Sequence, residues 1–401
     1  MIRTILPVPI LFLLLAAAPD PGASPAVPPA PAAPAPSAAP APAPGAERAA
    51  ERVFQDVAER LGPSVVSIDT VAIEKGLRPD KAIRFRRAEG GASTGLIVSQ
   101  DGLIVASAFF FKDVEAVAIR VRLHDGRELP AKMLGRDVSR GIAVLKIEAK
   151  GLFVPAACPR DEIKVGRWAI ALGRALSADR PTVHAGIVSA INRISGRAIQ
   201  TDAPLSPANY GGPLADAEGR IMGICVPLSQ HGDEAGAAMY DSGIGFAIPL
   251  ADILAQLPRL SKGDVIRVAF LGIQFDPERN SGGVDVSGIF PGSSAEGAGL
   301  QKRDVILELD GKRIDNFFQF QFEIGRRVAG DKVDLKIRRG AEYKTLRGIE
   351  LKPMPEAEEL VKMVEEQIRR KREDQMDMLR RMLEEQKRRG IPDPPPPDEE
   401  E

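Results

Sequence analysis

The chain has 401 residues, 44 % of them hydrophobic, which is enough for two ordinary domains that each bury a core. Its 54 Lys and Arg residues and 55 Asp and Glu residues leave a formal net charge of −1. This balance provides no broad basic surface for phosphates, so nucleic acid is excluded as an expected partner.

The N-terminus has the pattern of a secretory signal. Arg3 precedes an apolar run, Ile5 to Ala18, that ends in small residues and is short for a membrane span. We therefore predict a signal peptide over residues 1–18 and a periplasmic or otherwise exported location. An uncleaved membrane anchor is the alternative, because Pro19 directly after the run makes a poor cleavage point.

Residues 19–45 are mostly Pro and Ala, a composition that favours an extended linker. Apolar residues then recur at helical spacing from Glu47 to Leu61, and Gly62-Pro63 ends the pattern. From Ser64 to about Pro249, short runs rich in Val, Ile and Leu alternate with turn signals. These patterns predict a first domain over residues 46–258, with a short helix followed by an all-β barrel or sandwich.

A smaller mixed domain is predicted over residues 265–352. Its predicted strands include Val305 to Leu309 and Val333 to Ile337, and they flank a predicted helix from about Phe318 to Val328. The fold class is therefore mainly β, with a small α+β domain after the barrel domain.

A charged helix is predicted over residues 355–389, and a disordered Pro-rich and acidic tail over residues 390–401. The apolar residues of the helix stand three and four apart, but Lys371 and Gln375 interrupt the stripe. A solvated single helix and a weak coiled coil therefore both remain open.

The chain has two cysteines, Cys158 and Cys225, and neither has the spacing of a metal ligand. Cys225 lies in the apolar run from Ile221 to Leu228, which indicates a buried small hydrophobic residue. A disulfide between the two is not favoured, although the expected compartment would preserve one. We predict no metal and no other cofactor.

The run from Thr201 to Leu214 reads TDAPLSPANYGGPL, which resembles the TDAxxNPGNSGGPL run at the nucleophile of the HtrA (DegP-like) protease family. The resemblance covers about Val65 to Pro249, and it implies a trypsin-like fold of two six-stranded β-barrels with a catalytic cleft between them. Shorter family-like runs follow the family's order: Asp101 to Val105, Asp125 to Arg127, Ile142 to Lys146 and Ala185 to Ser189.

Serine-protease chemistry needs a hydroxyl nucleophile, an imidazole base and a carboxylate that orients the base. Alignment with the family places Tyr210 at the nucleophile, Phe109 at the base and Gly141 at the carboxylate. Ala208 stands where the family has a glycine whose N–H contributes to the oxyanion hole. Loss of one essential triad member alone costs about 10⁶ in turnover. The resemblance therefore implies a pseudoprotease without catalytic residues.

An active serine endopeptidase with a relocated triad is the enzymatic alternative. Its base would have to be one of the three histidines, and no motif places any of them at a catalytic position. They are His124, His184 and His231.

The second domain resembles an HtrA-type PDZ domain through the loop Phe270-Leu271-Gly272-Ile273 and through Pro291 to Ala295 and Asp304 to Leu307. In that family the loop presents backbone N–H groups to the terminal carboxylate of a peptide, which adds as a strand. Gly272 suits this role, because a carboxylate approaches backbone most closely where no side chain intervenes. An ordinary tight turn before a strand is the alternative. The predicted helix from Phe318 carries Phe320 and Phe322, and the resemblance implies that one side of this helix walls the peptide groove. Which phenylalanine faces the groove stays open, and most of them are expected in the core.

Together these interpretations predict an exported, non-catalytic HtrA-like protein that binds peptides or unfolded protein C-termini as an adaptor, chaperone or regulator. Its expected ligand is a peptide with an apolar end, because the implied groove is aromatic and aliphatic. A structural protein that assembles oligomers is a further alternative, since family members commonly form trimers through the protease domain.

Overall fold

The computed structural model describes residues 46–74, 84–111, 117–175, 180–228, 243–276, 279 and 281–388. The predicted signal peptide, linker and acidic tail lie outside these residues. The first helix, α1 (Ala46–Leu61), covers the segment predicted from its apolar spacing, and it passes into a 3-10 turn that contains Pro63. In the part of the chain that the structure describes, no helix is long and apolar enough to cross a membrane.

Six antiparallel strands form the first β-barrel. The barrel closes because β5 pairs with both β4 and β6. Side chains of successive residues point to opposite faces of a strand, and the inward set forms an apolar core that includes Val66, Ile104 and Leu145. The strands are β1 (Val65–Glu74), β2 (Arg84–Ile97), β3 (Leu103–Ser107), β4 (Val117–Arg122), β5 (Glu128–Asp137) and β6 (Ile142–Ile147).

The second β-barrel also has six strands, in the order β10-β11-β12-β9-β8-β7, and it closes through β7 and β10. Leu96 and Val105 of the first barrel share an apolar cluster with Ile170 and Phe246 of the second, so the two barrels are packed against each other. The double barrel implied by the family resemblance is confirmed. Its strands are β7 (Trp168–Gly173), β8 (Thr182–Asn192), β9 (Ala198–Thr201), β10 (Pro213–Ala215), β11 (Ile221–Val226) and β12 (Gly245–Pro249).

A short turn, α2 (Arg193–Gly196), in which Ile194 and Ser195 have positive φ angles, separates β8 from β9, and α3 (Leu250–Leu260) follows the second barrel. The small α+β domain begins after β13 (Val265–Ile266), a strand that pairs in parallel with β5. The strands of this domain are β14 (Ala269–Phe270), β15 (Ile273–Phe275), β16 (Val284–Ile289), β17 (Val305–Leu309), β18 (Lys312–Arg313), β19 (Lys332–Arg339), β20 (Glu342–Glu350) and β21 (Lys352–Pro353). Its helices are α4 (Ser294–Gly297) and α5 (Phe317–Gly325).

Helix α5 is shorter than the sequence pattern predicts. It begins where the Asn316 side chain accepts a hydrogen bond from the Gln319 N–H at 3.0 Å. The predicted end at Val328 is wrong, because Val328 forms an antiparallel bridge with Val268 and packs beside Val144 of the first barrel. A contact between domains therefore ends this helix early.

A buried ion pair lies at the contact between the first barrel and the α+β domain. The Arg140 and Asp137 side chains are 5 % and 3 % exposed, and their closest N···O distance is 2.7 Å. The Arg140 guanidinium also donates to the Arg326 carbonyl at the end of α5, at 3.2 Å. Removal of one partner from such a pair leaves an uncompensated buried charge, so this contact favours one arrangement of the two domains.

The predicted charged helix is α6 (Ala357–Arg388). The side chains of its apolar stripe are exposed, from 37 % for Val364 to 65 % for Met378. In this chain α6 is thus a largely solvated helix, and the structure shows no second helix of the chain packed along that stripe within the described residues.

Both cysteines are free and buried. Burial raises the pKa of the Cys225 thiol to about 12, and it also raises the pKa of the Cys158 thiol.

We expect the native protein to show no reaction of Cys158 or Cys225 with Ellman's reagent at pH 8, and two thiols per chain to react in guanidinium chloride. The raised pKa of Cys225 also sets a pH dependence. Its contribution to stability is complete below the unfolded value of 9.0 and is lost as the pH rises towards about 12. Rapid labelling of the native protein would contradict the burial of both thiols.

Candidate functional site

The positions aligned with the protease base and carboxylate lie side by side. Phe109 follows β3 in a 3-10 turn, and Gly141 directly precedes β6. β3 and β6 are antiparallel, with Ser107 opposite Ile142, so the end of one strand meets the start of the other. The Ala108 N–H donates to the Gly141 carbonyl at 2.8 Å, which joins the two positions directly.

Gly141 carries no carboxylate, although the structure leaves room for a side chain. A Cβ added at this residue would have the Leu228 side chain as its nearest neighbour, at 4.0 Å. The φ angle of Gly141 is +67°, a left-handed conformation that glycine adopts without strain. The loss of the acid is therefore not required by packing at this position.

The loop at the nucleophile position is held by its own hydrogen bonds. The Asn209 N–H donates to the Ser206 carbonyl at 3.0 Å, and the Asn209 side chain accepts from the Ser206 N–H at 2.8 Å. Thr94 of β2 anchors the loop to the first barrel, because its hydroxyl donates to the Ala208 carbonyl at 2.7 Å and its N–H donates to the Tyr210 carbonyl at 3.3 Å.

Tyr210 fills the space between this loop and the end of β3. Its residue is only 4 % exposed, and its ring lies edge-on to the Phe109 ring at a centroid distance of 6.3 Å. Phe109 in turn makes an edge contact with Phe110 at 5.2 Å. The structure thus brings Phe109 and Tyr210 together in one aromatic cluster, with Gly141 beside it, and such edge contacts stabilise a packed cluster beyond area burial alone.

One backbone donor aligned with the oxyanion hole is engaged inside the loop. The Tyr210 N–H donates to the Ser206 carbonyl at 3.2 Å. The neighbouring Ala208 carbonyl is directed at Thr94, and it would lie 2.7 Å from a Cβ added at Gly173. An oxyanion hole needs N–H donors that point at the substrate oxygen on which negative charge develops. The Tyr210 N–H points into its own loop instead.

The histidines do not form a substitute triad in the described structure. His124 is exposed in the turn after β4, and His184 lies on β8 opposite Ala171. Neither makes a hydrogen bond to a Ser hydroxyl or a carboxylate of the described residues, and His231 lies outside them. No group of three or more His, Cys, Asp or Glu side chains in the described ranges is arranged to hold a metal ion.

The predicted peptide-binding loop links β14 to β15. Its carbonyl groups face inward, since Leu271 accepts from the Ala295 N–H at 2.8 Å and Gly272 accepts from the Phe290 N–H at 2.9 Å. Among the residues that the structure describes, none accepts a hydrogen bond from the Leu271 or Gly272 N–H. Two successive backbone donors are therefore available to a ligand anion.

Gly272 is required for the geometry of this loop. Its φ angle is +83°, and a Cβ added there would lie 2.1 Å from the Ser293 Cβ. Any other residue would both strain the backbone and collide with Ser293.

Helix α5 packs beside β15, which is the edge strand of its sheet. Phe317 at the start of α5 stacks on Phe275 of β15 with ring centroids 3.4 Å apart. Phe320 is buried in the domain core, and Phe322 packs beside Gly196 of α2.

The comparisons with known proteins agree with both domains. Residues 93–224 match the family model of a trypsin-like peptidase domain, and residues 269–348 match that of a PDZ domain. The putative serine protease HhoB from Synechocystis is 30 % identical over 339 residues, which are 74 % of this chain and 78 % of that protein. The chain belongs to the HtrA (DegP-like) family. A probable periplasmic serine endoprotease of the same family from Hahella chejuensis is 33 % identical and covers 72 % of this chain.

Solved structures of HtrA proteins have the same fold. The HtrA-type protease AlgW with a decapeptide is 27 % identical, with a TM-score of 0.59 over 75 % of this chain and 99 % of that chain. The serine endoprotease from Yersinia pestis is 28 % identical, with a TM-score of 0.54 over 75 % of this chain and 98 % of that chain. This HtrA chain nevertheless spans only about half, 55 %, of the DegP-like relative from Halomonas elongata, to which it is 33 % identical.

Sequence reasoning missed Thr94 and Phe317 as parts of these sites. The bonds of Thr94 to Ala208 and Tyr210 join segments more than 100 residues apart. The phenylalanines from Phe317 to Phe322 indicate an aromatic side of the helix without indicating which ring faces β15.

Replacement of Tyr210 by Ser should destabilise the HtrA domain. The substitution removes a buried ring that contacts Phe109, so we expect the free energy of unfolding to fall by about 3 kcal/mol in urea titrations. The control is Tyr343→Ser on β20, where the residue is 66 % exposed, and it should change stability by less than about 0.5 kcal/mol. Equal effects of the two substitutions would contradict the packed position of Tyr210.

Proposed function

We propose that this HtrA family member is a non-catalytic protein that binds peptides or the C-termini of unfolded proteins through its PDZ domain. The observation that carries the first half is the set of residues at the triad positions, Phe109, Gly141 and Tyr210, which supply no imidazole, carboxylate or alcohol of the kind the chemistry needs. The buried Tyr210 ring and the inward Tyr210 N–H support it, because a substrate carbonyl would have neither a nucleophile nor that donor.

Peptide binding is supported by the loop from Phe270 to Ile273. The N–H groups of Leu271 and Gly272 have no acceptor among the described residues, and they precede the free edge of β15. A C-terminal segment could accept from these donors through its carboxylate and pair along β15 as an added strand. The stacked Phe275 and Phe317 form the neighbouring wall, which favours an apolar side chain on the ligand.

An exported location is part of the proposal. The apolar run from Ile5 to Ala18 has the form of a secretory signal, and relatives from Halomonas elongata and Hahella chejuensis are named probable periplasmic endoproteases. In that setting the protein would act as an adaptor, chaperone or regulator of other envelope proteins.

The second candidate function is a serine endopeptidase, which the names of the relatives favour. This function requires catalytic residues outside the positions aligned with the family triad, with a histidine such as His231 as the base.

We expect neither the unmodified protein nor Tyr210→Ser to hydrolyse casein or to be labelled by a fluorophosphonate probe. Restoring the hydroxyl leaves Phe109 and Gly141 in place, so no base would accept its proton. Tyr210→Phe is the matched control for chemistry at the tyrosine itself. Labelling of any serine in the unmodified protein, with turnover that the label abolishes, would establish the endopeptidase instead.

A fluorescein-labelled decapeptide that ends in three valines with a free carboxylate should bind the full chain in fluorescence anisotropy. The same peptide as a C-terminal amide should bind at least about tenfold more weakly, because hydrogen bonds to the charged group are lost. Gly272→Trp should abolish binding, whereas Gly340→Trp, at an exposed glycine with open space around it, should not. Equal binding of the acid and the amide would contradict recognition of a carboxylate.

We also propose that the protein forms homo-oligomers through an apolar patch on the second barrel. Trp168 and Ile187 lie opposite each other on β7 and β8 and are 49 % and 37 % exposed, and the Trp168 ring makes an edge contact with Phe54 of α1 at 5.3 Å. Trp168→Glu should lower the mass measured by sedimentation equilibrium, and a monomeric unmodified protein would contradict the proposal.

A further inference from the structure

Helix α6 is attached to the PDZ domain by its first four turns only. Gln367 is its one buried residue among those described, at 8 % exposure, and Leu360 and Met363 are half-buried. The described side chains beyond Arg370 are exposed. Any role of α6 in the PDZ domain must therefore act through this short contact.

Gln367 joins α6 to β15, the strand that a peptide would extend. Its side-chain amide exchanges two hydrogen bonds with the Gln274 amide, at 3.0 and 3.3 Å, and it also donates to the Ile289 carbonyl at 3.2 Å. Gly288 makes room for this pair, since a Cβ added there would lie 2.5 Å from the Gln274 oxygen and 3.0 Å from the Gln367 nitrogen. A buried amide pair of this kind requires a defined geometry, because a buried amide without its hydrogen-bond partner would lower the stability of the fold.

This contact does not involve the face of β15 that packs against α5. Side chains alternate along a strand, so Gln274 points away from the face that carries Ile273 and Phe275. Those two residues pack into the domain core, where Phe275 meets Phe317 of α5. Helices α6 and α5 therefore contact opposite faces of β15, and the free edge between β15 and α5 is not covered by Gln367.

A second connection runs from α6 to the turn at Gly292. This turn lies beside the loop from Phe270 to Ile273, called the carboxylate loop below. The Arg370 guanidinium donates to one oxygen of Glu296 at 2.8 Å, and the other oxygen accepts from the Gly292 N–H at 2.6 Å. The Gly292 hydrogen bond, followed by that of Arg370, lowers the pKa of Glu296. Arg370 is itself held by Glu366 on the same helix, at 2.7 Å.

The turn at Gly292 belongs to the segment that positions the carboxylate loop. The residues on either side of it donate to three consecutive carbonyls of that loop. These bonds run from the Phe290 N–H to Gly272, from the Ala295 N–H to Leu271, and from the Ser294 hydroxyl to Phe270. Movement of this segment would therefore move the two N–H groups that are available to a ligand.

We propose that α6 is a brace for the PDZ peptide site, in which Gln367 and Arg370 are positioning residues that hold β15 and the carboxylate loop in the binding geometry. The inference rests on the proposed peptide-binding function. Because coupling between two sites is reciprocal, a peptide bound in the groove should strengthen the docking of α6 by the same factor by which α6 strengthens peptide binding.

The test is a double variant, Gln367→Leu with Arg370→Ala, in the full chain. The control, Gln375→Leu with Arg369→Ala, changes the same residue types on the same helix where both side chains are exposed. The decapeptide that ends in three valines should bind the double variant about fivefold or more weakly, and the control unchanged. Arg370→Lys, which keeps the charge, should weaken binding less than Arg370→Ala. Equal affinities of variant and control would overturn the brace.

Hydrogen exchange keeps this test separate from that of the proposed function. Without any peptide, the hydrogen-bonded amides of β15 (273–275) and of Phe290, Gly292 and Ser293 should exchange faster in the double variant than in the control, while residues 305–309 of β17 should be unaffected. Faster exchange together with no peptide binding by the unmodified chain would support the role of Gln367 and Arg370 in holding β15 and the loop. The same result would contradict the proposed peptide-binding function. Unchanged exchange in both segments would overturn the brace whatever the binding result.

Discussion

The close approach of backbone to backbone at Gly211 and Gly212 is the constraint on which the first domain depends. A Cβ added at Gly211 would lie 2.2 Å from the Thr94 carbonyl oxygen of the first barrel, and one at Gly212 would lie 2.1 Å from the Leu172 carbonyl oxygen of the second. Only glycine permits both contacts. Gly211 and Gly212 therefore lie between the two barrels. The preceding residue, Tyr210, is buried there against Phe109.

This constraint acts on the backbone of Gly211 and Gly212, and it does not depend on the chemistry of the side chain at Tyr210. In a serine protease the same placement would present a hydroxyl to an imidazole. Here it presents a phenol ring to Phe109, and the ring is buried. The loop keeps this close packing with Tyr210 at its end, since Thr94 and Asn209 hold it through hydrogen bonds that do not involve the Tyr210 side chain.

The PDZ domain is joined to the barrels by contacts that involve the same elements as its candidate groove. Helix α5 forms one wall of the groove, and its last residues meet the barrel domain. Gly325 lies against Ser195, where an added Cβ would be 2.4 Å from the Ser195 Cβ, and the Arg326 carbonyl accepts from the buried Arg140. The other wall, β15, contacts α6 through Gln274. The candidate site is thus supported on one side by the barrel domain and on the other by the C-terminal helix.

Much of the fold follows from patterns that are local in the sequence. Alternating apolar residues predict the strands, and Val333, Leu335 and Ile337 are indeed buried along one face of β19. Residue types at motif positions are equally readable, and the alignment with the family predicts Phe109, Gly141 and Tyr210 at the triad positions without a structure. The glycine at position 272 in the loop from Phe270 to Ile273 can likewise be identified from the sequence alone.

The sequence by itself thus determined the two domain types, and it predicted the residues aligned with the triad and a peptide-binding loop at Phe270 to Ile273. Only the tertiary structure decided that α5 ends before Val328, that Phe317 stacks on Phe275, and that Gln367 is hydrogen-bonded to Gln274 of β15. The physical reason is separation along the chain. Thr94 and Ala208 are 114 residues apart, and Gln274 and Gln367 are 93 apart. No local periodicity encodes which of several similar side chains will meet across such distances, because that choice is made by packing.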